Sequence, residues 1–331
     1  MTRGDAPHAP VRGDAAQPPI VTGGGTRLVA MPGHRRARAN VLLLCASAIW
    51  GFTFVAQRLG ADHVGPLTFN AVRFAMAAVF VGAIIVVLDW RRGLTRERRR
   101  AATRKAVVPG LICGLVLALA GGLQQAGMST VTASNAAFIT GLYMVLVPLA
   151  GGLLLGHKVA WPIVVGVVVA VVGLYLICVP HGLAMTWGSG LVLLSSLAWT
   201  AHILLIDHFS KRVSALRFAV AQFVGCAVVS AALSPLTDAS PFTGIGQAII
   251  PLLFCGLMAG GIAFTLQVVA QRDALAAHAA LIMSLESVFG AIGGALLLGE
   301  NMGLRGYVGA VLMVLGIVVS QWRTRAQRRG T

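Results

Sequence analysis

The chain reads as an all-α integral membrane protein: ten transmembrane helices arranged as two inverted five-helix repeats. Three observations predict this. Of 331 residues, 57% are hydrophobic and only 11% charged, where soluble globular chains carry roughly 25% charged residues; the mean hydropathy is +0.84. The apolar stretches recur along the chain, and several approach the ~20 residues that cross a bilayer. The chain also matches itself without gaps from Leu123 to Gly173 against Leu266 to Gly316, an offset of 143 residues.

Breaks at charged and Pro/Gly clusters place the first five helices at 40–57, 66–89, 106–127, 131–155 and 160–179. The second five fall at 188–206, 215–234, 247–270, 276–299 and 304–321. Trp90, Trp161, Trp187 and Trp322 stand near predicted helix ends, where an aromatic belt meets the membrane interface. Residues 1–38, rich in Pro, Gly and Arg, lack the apolar core of a signal peptide and read as a disordered cytoplasmic tail. Met31, just before Arg35, Arg36 and Arg38, is a second candidate start. The organisation expected is thus a tail (1–38), a first repeat (39–180), a second repeat (187–321) and a basic cytoplasmic tail (322–331).

The repeat rests on identities beyond shared hydrophobicity. Leu123-Gln124 matches Leu266-Gln267, Ala136-Ala137 matches Ala279-Ala280, Leu153 to Gly156 matches Leu296 to Gly299, and Gly166 and Gly173 match Gly309 and Gly316. At an offset of 149, Leu42, Leu44, Ser47 and Trp50 match Leu191, Leu193, Ser196 and Trp199. A unit of five helices enters the membrane from opposite sides in its two copies, so the repeats are inverted, an arrangement used by alternating-access carriers.

The net charge of +16 points to nucleic acid only if the charges cluster on a folded surface. They fall in tails and loops instead. Six Lys or Arg precede the first helix, eight lie between Arg91 and Lys105, and four follow residue 321. Lys158, Lys211, Arg212, Arg217 and Arg272 fall on the same set of connections; Arg58 and Arg305 edge the other set. By the positive-inside rule both termini are cytoplasmic in the cell's inner (plasma) membrane. A basic loop facing anionic lipid accounts for these charges without a nucleic-acid partner. The cysteines Cys45, Cys113, Cys178, Cys226 and Cys255 all lie in apolar segments, with no zinc or redox spacing, and read as packing residues.

Several short motifs resemble the EamA-type family of the drug/metabolite transporter superfamily. They are Trp50-Gly51 in the first helix, Pro66 with Arg73-Phe74 in the second, and Ala136 to Phe138 with Val147-Pro148 in the fourth. Leu266 to Gln271, Leu285 to Phe289 and Leu298 to Glu300 continue the likeness, which covers residues 40–320. It departs at His157, where a Glu is usual, and at Ser287, where a Pro is usual. The resemblance implies a ten-helix bundle with a central cavity between its halves, moving a small organic solute such as an amino acid, metabolite or drug, with no cofactor.

Glu286 falls near the centre of the ninth helix, where a charge costs roughly 2.5–3.5 kcal/mol on insertion scales. Either it exchanges a proton as access alternates, coupling protons to solute, or it is a neutral carboxyl locking helix packing. Arg73 cannot shed its charge; its partner is Glu286, a solute carboxylate or phosphate, or lipid headgroups reached by snorkelling. His202 and His278 lack a second ligand at helical spacing, so no metal site is expected, and a hydrogen-bonded packing role stands beside a titrating one. Asn70, Gln57, Asn135 and the equivalent pair Gln124 and Gln267 are polar groups that hydrogen-bond either a solute or a neighbouring helix. Trp50 and Trp199 stack on a planar or cationic solute or simply pack. Gly-x-x-x-Gly at Gly110/Gly114, Gly152/Gly156, Gly256/Gly260 and Gly290/Gly294 predicts close helix crossings. His157 and Glu300 occupy matching helix ends and read as solvated caps.

Other function classes leave their signatures missing. There is no His-Glu-x-x-His, paired Asp cluster or nucleophile with a local base for an intramembrane enzyme. No filter motif for a channel appears. A Gly-rich phosphate loop for direct use of ATP is also missing. A secondary carrier of a small solute, with proton coupling through Glu286 as one of the two readings above, is the leading expectation; a facilitator or exchanger without ion coupling is the alternative, and the sequence leaves the oligomeric state open.

Overall fold

A computed structural model of the protein describes residues 33–131, 133–156, 159–179, 186–298 and 303–320. Most of the N-terminal tail, the basic C-terminal tail, Lys158, Trp322 and the two helix ends at His157 and Glu300 lie outside the described residues. The described chain is helical with no strand. The first five crossings are α1 (Gly33–Ala61), α2 (Pro66–Arg91), α3 (Arg96–Gly127), the pair α4 (Ala133–Gly141) and α5 (Tyr143–Leu155), and α6 (Trp161–Cys178). The second five are α7 (Trp187–Ser210), α8 (Ala215–Thr237), then α9 (Ile249–Leu253) running through a π-helical segment (Phe254–Ala263) into α10 (Phe264–Ala270), the pair α11 (Ala276–Met283) and α12 (Glu286–Leu298), and α13 (Gly303–Ser320).

Every expected crossing is present. Among the described residues nine are long and apolar enough to span a bilayer, and the shorter apolar helix Trp161–Ile177 is the tenth. The outward faces are apolar: Val79, Leu153, Leu154, Leu236 and Leu304 are each more than 70% exposed. A soluble fold hides such side chains, whereas lipid accepts them. Trp90, Trp161 and Trp187 are exposed at helix ends, as expected of interfacial anchors. The bundle therefore crosses the membrane many times.

Two helices, α1 and α3, begin well before their apolar cores. α3 starts at Arg96 because Thr95 caps it, its hydroxyl accepting from the Arg98 amide at 3.4 Å, with Glu97 in the first turn where the helix dipole favours an anion. Short turns join α1 to α2, α2 to α3, α7 to α8 and α10 to α11, so consecutive crossings run antiparallel. α1 and α7 are the first and sixth crossings, one five-crossing unit apart, so they run in opposite directions and the two halves are inverted. The end where α1 begins is called here the terminal end, and its opposite the far end.

The inversion is visible in packing. Gly173 of α6 lies against the Gly309 carbonyl of α13, where an added Cβ would sit 2.5 Å from that oxygen; at Gly309 an added Cβ would sit 2.6 Å from the Gly173 carbonyl. Gly166 and Gly316 make the same reciprocal approach. These four are two pairs of repeat equivalents, and reciprocal contact is what a two-fold axis produces. Gly110 and Gly114 bring α3 against α8, Gly256 and Gly260 bring the π-helical segment against α2, and Gly290 meets Gly51 of α1. Gly156 behaves otherwise than its Gly-x-x-x-Gly spacing predicts: it ends α5 in the left-handed region at φ 64° and meets no neighbour among the described residues.

The fourth and ninth crossings, continuous by hydropathy, are each broken in the middle. In the fourth the break is at Leu142, whose amide donates to the Ile139 carbonyl at 3.3 Å; in the ninth it is at Ser284 and Leu285, with Leu285 donating to the Ile282 carbonyl at 3.1 Å. Position 142 matches 285 and 139 matches 282 at the repeat offset. Each break is a tightened turn that alters the direction of the following side chains. Those side chains are Tyr143 and Glu286.

Candidate functional site

The α2 helix is pinned at its start. The amides of Leu67 and Thr68 donate to the Asp238 carboxylate at the end of α8, at 3.2 and 2.7 Å, satisfying helix-terminal donors and placing an anion at the positive end of the dipole. Arg73, about two turns deeper, is thereby fixed in depth. Its Nε and Nη2 donate to the Asn70 carbonyl oxygen at 3.1 and 2.8 Å, and the Asn70 amide donates to the Ser230 hydroxyl at 2.9 Å. The guanidinium lies over the Phe74 ring at 4.8 Å and nears Phe69 at 5.7 Å. Gly121 of α3 makes this possible, because a Cβ there would lie 2.8 Å from Arg73 Nη2. Arg73 is 5% exposed and has no carboxylate within 4.0 Å among the described residues.

Arg73 opens onto a central cavity of about 60 Å³. Its walls are built from equivalent positions of the two halves: Trp50 with Trp199, Gln124 with Gln267, Thr140 with Met283, and Tyr143 with Glu286. The Tyr143 hydroxyl donates to Glu286 Oε1 at 3.2 Å. Two groups related by a two-fold axis touch only on that axis, so this contact marks where it runs. Phe74 and Phe223, also equivalent at an offset of 149, stack at 5.8 Å on the same line. At roughly 10–15 Å³ per water centre the cavity admits only a few waters.

The symmetry is broken where the chemistry is concentrated. Arg73 corresponds to Gln222, and Gly121 to Phe264. In the second half, therefore, an amide replaces the cation and a phenyl ring fills the space the guanidinium takes in the first. Phe264 stacks on Trp199 at 5.8 Å and meets Trp50 edge-on at 4.9 Å. The Gln222 side-chain oxygen accepts from His202 Nε2 at 3.0 Å.

Six of the eight residues singled out from sequence thus line one cavity: Glu286, Arg73, Trp50, Trp199, Gln124 and Gln267. Asn70 stands behind Arg73 and holds it. His202 is fully buried against Gln222 and the rings of Trp199 and Phe264, away from the cavity lining. Sequence reasoning passed over Tyr143, Thr140 and Phe264. Tyr143 was there to find, because the 143-residue offset sets it opposite Glu286.

A second, shallower depression of about 340 Å³ opens at the terminal end, between α1 and α10. Ala39, Leu42, Val269 and Ala270 form its floor, and Arg35, Arg38, Lys211 and Arg272 surround it with Asp273 as the one acid. Ala270 is one turn from Gln267, and Leu42 about 12 Å along α1 from Trp50. The repeat-equivalent seam at the far end, between α3 and α7, is shut: a Cβ on Gly127 would lie 2.8 Å from the Gly188 carbonyl.

Comparison with known proteins agrees with this architecture. The chain is 28% identical over 291 residues to an uncharacterized transporter of Archaeoglobus fulgidus, covering 88% of each chain. It is 22% identical over 283 residues to the uncharacterized transporter YoaV of Bacillus subtilis, covering 84% of this chain and 94% of that one. A solved crystal structure superposes with a TM-score of 0.72 at 16% identity, covering 89% of this chain and 99% of the other, and so shares its fold. The model of the EamA-like transporter family matches residues 37–179 and 186–322. With ten crossings in two inverted halves and a family match across both, the chain is a membrane transporter that belongs to the EamA-like transporter family.

Proposed function

We propose that the protein is a secondary carrier of a small organic anion or zwitterion in the inner membrane, working by alternating access around the central cavity, with both termini cytoplasmic. The observation that carries this reading is the buried guanidinium of Arg73, which opens onto the axis of an inverted repeat with no described carboxylate to neutralise it. A buried cation without a counter-charge is expensive, and a carboxylate on the solute supplies the missing partner. The aromatic walls suit a planar or apolar body attached to that carboxylate. Glu286, across the cavity, is the coupling residue: exchanging a proton as the site changes sides links solute movement to the proton gradient.

Charge placement supports the orientation. The terminal end carries Arg91 to Lys105, Lys211, Arg212 and Arg272, so it is the cytoplasmic end by the positive-inside rule. The basic depression then faces the cytoplasm, where it raises the local concentration of an anionic solute.

The test is uptake into liposomes carrying the purified protein, under imposed pH gradients of either sign, with pooled amino acids, organic acids, nucleobases and cationic drugs. Gradient-driven uptake of carboxylate-bearing solutes, uncoupled from the gradient by Glu286→Gln and abolished by Arg73→Gln, is the expected result. Uptake indifferent to the gradient and to Glu286→Gln would make the protein a facilitator or exchanger, with Glu286 a packing residue. A preference for cations would remove Arg73 from the binding site.

A further inference from the structure

One pair of repeat-related polar contacts at the cavity is made in one seam and unmade in the other. Trp199 Nε1 donates to Gln124 Oε1 at 2.7 Å, linking α7 to α3, and the Gln124 amide donates on to Gln57 at 3.2 Å. The equivalent groups of the other seam are Trp50 Nε1 on α1 and Gln267 Oε1 on α10. Both are buried, both line the cavity, and neither has a hydrogen-bond partner among the described residues. An unpaired buried donor and acceptor in one protein are costly. They are two of ten such atoms among the described residues, and together they are the symmetry mates of a made hydrogen bond.

The two seams differ in the same sense along their length. Where the indole–amide bond is made, α3 and α7 approach closely enough that only glycine fits at 127 and 188. Where it is unmade, the equivalent positions are Ala270 and Ala39, and the basic depression opens over them.

We infer that these four residues form an exchanging latch: Trp199–Gln124 holds the far-end seam shut while the terminal end is open, and Trp50–Gln267 forms in its place when the carrier faces the other way. The inference rests on the alternating-access reading above and adds to it the groups that hold each state. Exchange keeps one hydrogen bond in both states, so the transition costs little net, and each bond biases the equilibrium only toward its own side. Trp-to-Phe substitution removes the donor and keeps the ring.

The test is hydrogen–deuterium exchange on the full-length protein in lipid nanodiscs, without solute, comparing Trp199→Phe, Trp50→Phe and the wild type. Trp199→Phe is expected to speed exchange at the far-end seam, residues 120–131 and 186–195, and to slow it at the terminal-end seam, residues 35–45 and 265–272. Trp50→Phe is expected to change both in the opposite direction. Each shift corresponds to about a fivefold change in the ratio of the two states, the worth of one buried hydrogen bond. Gln124→Leu and Gln267→Leu, reaching the same bonds from the amide side, are expected to reproduce the two patterns. The inference is overturned by shifts of the same sign in Trp50→Phe and Trp199→Phe, by faster exchange at both seams, or by no change. The measurement needs no solute, so failure to find one that is transported bears on the functional reading alone.

Discussion

Arg73 and Asn70, one turn apart on α2, form a unit whose parts have separable effects. Asn70 takes up two guanidinium N–H groups with one oxygen and is itself tied to Ser230, so it aims the cation without approaching the cavity. Asn70→Ala is expected to leave a folded protein whose apparent KM for anionic solutes rises about tenfold, in line with the loss of hydrogen bonds to a charged group. A concentration series in liposomes checks this, and an unchanged KM would mean that Arg73 needs no tether. Tyr143→Phe removes only the donor to Glu286 and is expected to lower stability by about 1 kcal/mol, read as a lower Tm, with transport retained. Glu286 and Arg73 were legible as lone charges in apolar helices. The Asn70 tether was not, because a three-residue spacing allows contact between two side chains but leaves their rotamers open.

At the scale of the helix, small residues decide which elements touch. Gly173 and Gly190 are both helical glycines, yet a methyl at Gly173 collides with the Gly309 carbonyl and Met313, whereas one at Gly190 meets nothing within 4 Å among the described residues. Intrinsic propensity favours Ala over Gly at both by about 1 kcal/mol. Gly190→Ala is therefore expected to leave Tm unchanged or slightly raised. Gly173→Ala is expected to lose roughly 1–3 kcal/mol through overpacking against backbone that cannot yield. Thermal denaturation of the two variants in one detergent compares them directly. Hydropathy reports none of this difference, since Gly scores alike at both places. The same blindness hid the breaks at Leu142, where only Gly141 stands as a helix-weakening residue, and at Ser284-Leu285, where none does, and the π-helical segment that brings Cys255 and Ala259 to the cavity wall. Such irregular backbone is tolerated at membrane depth where it lines a cavity.

For the whole molecule, the internal repeat carried most of what was legible: a five-helix unit read twice implies inversion, an axis and a site on that axis. Sequence identity between the halves cannot reveal where they differ in conformation, and so the shut α3–α7 seam and the open α1–α10 seam belong to structure alone. That asymmetry leads to a prediction about the solute's charge that needs no knowledge of its identity. Arg35, Arg38, Lys211 and Arg272 ring the open seam. Lys211 is held by Asp207 at 2.9 Å, which leaves the three arginines, partly offset by Asp273, to set the local potential. Replacing Arg38 and Arg272 together by Gln is expected to raise the apparent KM of an anionic solute severalfold at low salt while leaving kcat unchanged, because the variant changes encounter at the mouth and not the chemistry of the central site. The difference from wild type should fade between roughly 0.1 and 1 M salt, as the screening length falls from about 10 to about 3 Å. A cationic solute reverses the sign, its KM falling in the variant. Initial rates at several salt concentrations separate the two cases, and a KM that falls on neutralisation would assign the solute a positive charge and remove the anion-binding role of Arg73.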